Sequence, residues 1–159
     1  MVNEKEYYED INSLYKEKED ADIYALLNYC EKYYGKLNVQ HIPSIMKLIC
    51  GDSTVSEQNE CIVKMLDKIV QMYGQEAVNS IVKNSDILIQ ENAQGELFII
   101  LAMILFWNEK LELDIVAPLK TVKYEVLALY KKCIANKITH VNAKHKELLQ
   151  SIQDKLLFF

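Results

Sequence analysis

Along most of this chain, apolar side chains recur three and four residues apart and polar links interrupt the runs, which is the spacing of one buried helix face. Tyr7, Tyr8, Ile11, Leu14 and Tyr15 predict a helix over residues 3–18. Ile23, Leu26, Leu27, Cys30 and Tyr34 predict a second, capped by Asp20 or Asp22 and stopped by Gly35. A third follows Pro43, with Ile45, Met46, Leu48 and Ile49 inward and Gly51 at its end. Thr54, with Glu57 three residues on, reads as a capping box for the next helix. That helix lines up Ile62, Met65, Leu66, Ile69, Met72 and Tyr73 and stops at Gly74. Residues 75–91 read as two short helices broken at Asn84–Ser85.

The run Leu97–Trp107 carries no charge over eleven residues. A membrane span needs about 20 such residues. Eleven make a helix of about 16 Å, so the run predicts a central helix buried all round. Pro118 suits the first turn of a helix holding Leu119, Val122, Val126, Leu129, Tyr130 and Cys133 inward, with Asn136 as its stop. Thr139 is the expected cap of the last helix, whose stripe is Val141, His145, Leu148, Leu149, Ile152 and Leu156. Phe158 and Phe159 are expected to fold back onto the core, since two exposed phenylalanines make a sticky tail. No stretch alternates with period two. The fold class is all-α, one domain over residues 1–159. Helix pairs recurring about every 35–45 residues suggest antiparallel pairs stacked as a short array of the HEAT or armadillo kind.

Composition agrees with helices: the 159 residues include only 4 Gly and 2 Pro. Cys30, Cys50, Cys61 and Cys133 form no CxxC pair and are read as buried free thiols. No secretory signal is recognisable at the start, so the expected compartment is the cytosol, with no membrane contact.

Charge changes the picture more. All 18 basic residues are lysine, and the guanidinium fork that reads phosphates and guanine edges is missing. With a net charge of −5, no nucleic-acid ligand is expected. The charge is also segregated. Residues 1–22 carry 3 lysines against 8 acids, a net −5; residues 23–118 carry 7 against 12, again −5; residues 119–159 carry 8 against 3, a net +5.

Candidate chemistry is sparse. His140 and His145 stand about 140° apart on a helix, so they do not form an i, i+4 metal pair. His145 lies on an apolar stripe and reads as a hydrogen-bonded core histidine. His41, before a proline-started helix, reads as a surface or capping residue. GDST lacks the lysine of a phosphate loop, and Glu57 and Glu60 lack the Glu-x-x-His partner of a di-metal bundle. The expectation is a binding protein, not an enzyme, with no cofactor and no metal.

The front of the chain supplies the binding chemistry. Seven of the ten tyrosines fall in the first 34 residues, among the acids. One helix face cannot bury both Tyr7 and Tyr8, so rings and hydroxyls are expected at the surface, beside carboxylates that complement a basic partner. The candidate partner-binding residues are Tyr7, Tyr8, Asp10, Glu17, Asp20 and Asp22, then Asp52, Glu57 and Glu60. Nucleases are basic because they grip phosphates, so a ribonuclease is the expected kind of partner.

The segment CGDSTVSEQNECIVKMLDKIVQMYGQEAVNSIVKN, followed by GELFIILAMILFWNEK, resembles the bacterial immunity-protein family known as immunity protein thirty. The matching positions are Asp52, Thr54, Glu57, Tyr73, Leu105 and Asn108, within residues 20–116. The resemblance implies a cytosolic antidote that occludes the active site of a cognate toxin from a contact-dependent inhibition or related polymorphic toxin system. A helical-repeat adaptor that holds a peptide or protein in a concave groove is the alternative.

Overall fold

A computed structural model describes residues 37–49 and 56–159; side chains are described from Met65 onward in the second of these segments. The expected helices over residues 3–18 and 23–34, the Gly51 stop and the Thr54 cap lie outside the described residues. Everything regular within them is helical, and no strand occurs among them. The fold is all-α. No helix among the described residues is long and apolar enough to cross a membrane.

The first described segment opens with a reciprocal cap. The Asn38 side chain accepts a hydrogen bond from Gln40 N (2.8 Å), while Asn38 N donates to His41 Nδ1 (3.1 Å). This closes a 3-10 turn, Val39–His41, that leads into α1, Ile42–Ile49. Pro43 falls in the first turn, where its missing N–H costs no helical bond. Then comes α2, Ser56–Tyr73, about 27 Å of helix. Its buried side is Met65, Leu66, Ile69 and Val70. Met72 and Tyr73, expected on that stripe, are exposed, because Val70 takes the inward place in the last turn. Gly74 turns the chain at φ +55°, ψ −120°, a conformation an L side chain rarely adopts. A Cβ placed there would meet Leu113 Cδ2 at 3.9 Å, an ordinary contact, so the backbone and not space calls for glycine.

The predicted break is present. Helix α3, Gln75–Lys83, buries Ala77, Val78, Ile81 and Val82; α4, Asp86–Gln90, buries Ile87 and Leu88. Between them Asn84 Nδ2 donates to Ser80 O (2.7 Å) and Ser85 Oγ to Ile81 O (2.6 Å). Side chains thus occupy carbonyls near the end of α3 and end it.

Helix α5, Glu96–Leu111, is central: it packs on α2 and on α7, Tyr124–Lys137. Leu97, Ile100, Leu101, Met103, Ile104 and Leu105 are buried. Burial is not all round, however. Ile99 (45% exposed) and Phe106 (49%) share an outward strip with the exposed Ala102, and Lys110 Nζ lies 5.1 Å from the Phe106 ring centre. Trp107 Nε1 donates to Asp67 Oδ1 (2.6 Å), tying α5 to α2.

The helix expected from Pro118 onward is two. Pro118 sits in a single turn, α6, Val116–Leu119, which Asp114 Oδ1 caps by accepting from Val116 N (2.9 Å). The chain then turns through Thr121, whose hydroxyl donates to Pro118 O (2.8 Å), and Lys123 is extended before α7 begins. Val122 and Leu129 are half-buried on the core, and α7 runs one residue past Asn136. The last helix, α8, is Ala143–Lys155. Asn142, not Thr139, caps it by accepting from His145 N (2.9 Å); the Thr139 hydroxyl is spent on Asn136 O. Leu149, Ile152 and Leu156 anchor α8 to the core. Phe158 does not fold back: it is 90% exposed, and Leu157 and Phe159 are exposed too. Leu156 fills the last core position, and the turn after it carries Phe158 outward, while Lys120 Nζ lies 4.5 Å over the half-open Phe159 ring.

Candidate functional site

The predicted partner-binding residues are distributed as follows. Tyr7, Tyr8, Asp10, Glu17, Asp20, Asp22 and Asp52 lie outside the described residues. Glu57 and Glu60 lie in the first turns of α2, on its N-terminal, dipole-positive end. Of the positions carrying the family resemblance, Tyr73 ends α2 half-open to solvent and Leu105 is buried. Asn108 Nδ2 donates to Leu113 O (2.5 Å) and ties off the end of α5.

Polar chemistry among the described residues is concentrated at three junctions. The first is His41. It is not a surface residue: only 3% is exposed, because the capping box holds the ring beneath the start of α1. Burial pushes its pKa from 6.5 down to about 4, against the hydrogen bond from Asn38 N, which opposes the fall. The ring is neutral at pH 7.

The second joins α4 to α7. Ser85 Oγ and Tyr130 Oη meet at 2.7 Å, and both residues are fully buried. Since Ser85 donates to Ile81 O, Tyr130 is the donor in this contact. Burial drives the Tyr130 hydroxyl well above its usual range, with the serine partner pulling the other way. It does not ionise under physiological conditions.

The third joins the end of α5 to the first turn of α8. His145 Nε2 and Glu109 Oε1 stand 2.9 Å apart, and Lys144 Nζ approaches the same carboxylate at 3.8 Å. The histidine is hydrogen-bonded, as expected, but half-buried at the rim. A carboxylate that fixes an imidazole is a useful catalytic pair. Here its neighbour is an ammonium, and the geometry is that of an interhelical clasp. Among the described residues, no group of three His, Cys, Asp or Glu is placed to hold a metal ion.

Concave surface lies along both sides of α7. One cleft of about 710 Å³ opens between α3 and the α6–α7 corner, floored by Ala117, Pro118, Val122 and Val126 and rimmed by Lys83 and Lys123. A second, of about 470 Å³, lies between α5 and α7, with Phe98, Leu129 and Cys133 in its lining. Cys133 is a buried free thiol. Burial lifts its pKa to about 11 despite the Lys137 ammonium, which favours the thiolate. It is not an activated nucleophile.

The sequence reading missed the first cleft. Its signals were the excess of lysine after residue 118 and the Phe158–Phe159 pair, both visible as composition but not as a surface. A scan against protein-family models, a search of curated proteins and a search of solved structures each return no match for this chain.

Proposed function

We propose that this chain is an immunity protein that binds a cognate toxin in the cytosol and blocks its active site. The observation that carries the reading is the net charge of −5 on residues 1–22 with Tyr7, Tyr8 and Tyr15 among the acids. Carboxylates steer a basic partner and raise its association rate. Tyrosines supply rigid contact area at interface centres. The resemblance to the immunity protein thirty family points the same way. In this reading Tyr7, Tyr8, Asp10, Glu17, Asp20 and Asp22 make the main contact, and Asp52, Glu57 and Glu60 extend it.

The test is rescue. Cells expressing a toxin domain encoded beside this chain should regain growth when the chain is co-expressed. Alanine at Tyr7 or Tyr8, if either is an anchor, should weaken toxin binding by about 2 kcal/mol. Continued killing at saturating expression rejects the immunity reading, as does a catalytic turnover by the chain itself.

A second reading has its own support. The open clefts beside α7 suit a helical adaptor that holds a peptide. Capture of a partner from cells that carry no toxin gene would favour it.

A further inference from the structure

The cleft between α3 and the α6–α7 corner has an apolar floor and a cationic rim. Neither Lys83 nor Lys123 forms an ion pair among the described residues, although Asp86 lines the same cleft. Both lysines are exposed, and they line the cleft together with buried Val126 and half-buried Pro118.

The surface continues beyond the rim. Lys120, which precedes the cleft residues Thr121–Lys123, holds its ammonium 4.5 Å over the Phe159 ring. Lys131 Nζ donates to the Phe159 carbonyl oxygen. These contacts hold the last aromatic against the stretch of chain that leads into those cleft residues, while Tyr124, next after Lys123, is 75% exposed. The lip is thus aromatic and basic, within a segment that carries +5 in a protein of −5.

We propose that this cleft and its lip dock an acidic peptide segment of a partner protein, with apolar side chains seated on the Ala117–Val126 floor and carboxylates paired with Lys83 and Lys123. Charge complementarity selects the sign of the ligand. The concavity selects a chain that enters over a flat bilayer that rests on top. The lip supplies the aromatic contact area that binding surfaces favour. This site shares no residue with the acidic set invoked for toxin binding, and either can fail without the other.

The experiment uses the full chain and a fluorescein-labelled peptide of alternating glutamate and leucine, followed by anisotropy. Binding should saturate and weaken as sodium chloride rises from about 50 mM to about 500 mM, because exposed ion pairs are screened. The pair Lys83→Glu with Lys123→Glu should weaken it at least about tenfold. Ala117→Glu, at an exposed floor position, should do the same while leaving the circular-dichroism melt unchanged. If the double charge reversal unfolds the chain, Ala117→Glu alone decides. The proposal is overturned by absence of saturable binding, by equal binding of a lysine–leucine peptide, or by wild-type affinity in a folded variant. It is overturned equally if phosphatidylserine vesicles bind and the peptide does not.

Discussion

His41 and His145 each form a hydrogen bond of about 3 Å: 3.1 Å to Asn38 N for one, 2.9 Å to Glu109 Oε1 for the other. The bonds look alike and do different work. His41 accepts from a backbone amide beneath a helix start, where the ring is dry and neutral. His145 spans two helices at a wet rim, where water competes for both partners. In the dry place the fold depends on the protonation state, because charging the ring means solvating it inside the protein. At the rim, the loss of one partner hands the other to water at little cost.

That contrast can be broken from its strong side first. His41→Ala removes a buried ring together with the acceptor that closes the cap. It should destabilise by about 3 kcal/mol in urea unfolding. Acid should act on the same residue. His41 titrates near 6.5 in the unfolded chain and is pushed down to about 4 in the fold. Between those values the unfolded chain takes up a proton and the folded one does not, so stability is full above pH 6.5 and falls as pH drops toward 4. The loss should approach about 2–3 kcal/mol. His41→Gln keeps an acceptor at the third position of the capping box without a titrating ring, and should flatten that slope. An unchanged slope in the variant would assign the acid sensitivity to other groups.

A buried neutral pair sharpens the comparison. Ser85→Ala should cost about 1–2 kcal/mol by leaving the Tyr130 hydroxyl without its acceptor. Adding Tyr130→Phe should then cost less than it does alone, a coupling that a double-mutant cycle measures. The smallest effect belongs to the rim: His145→Ala or Glu109→Ala should shift stability by less than about 1 kcal/mol. A larger shift there would mean that the clasp is drier than its exposure indicates.

The comparison also shows what sequence can carry. The break at Asn84–Ser85 was legible because two short polar residues compete locally for helix carbonyls. The central helix was legible from eleven uncharged residues. Its exposed strip was not, because Ile99 and Phe106 are as apolar as their buried neighbours, and only packing tells which face has a partner. The cap of α8 was ambiguous in kind: Thr139 and Asn142 are both capping residues, and the turn at Ile138–Val141 decides between them. His41, read as a surface or capping residue, does cap, but its depth was not legible, because the capping box that buries it begins three residues upstream; periodicity placed His145 inward, where it is half-buried. As for the site, charge segregation named a candidate acidic face from composition alone. The basic cleft could not be named that way, because Lys83 and Lys123 are forty residues apart and meet only through the packing of α3 against α6.

One small clasp reaches further than its size. The Gln75 amide donates to Asp114 O and accepts from Asp114 N, both at 2.6 Å, so one side chain pairs with a loop residue as a neighbouring strand would. Asp114 is exposed, in a stretch with no regular structure. Its amide proton should nonetheless exchange with deuterium slowly, on the schedule of the α2–α3 corner to which Gln75 belongs. A segment that looks free to breathe is timed by a glutamine thirty-nine residues earlier.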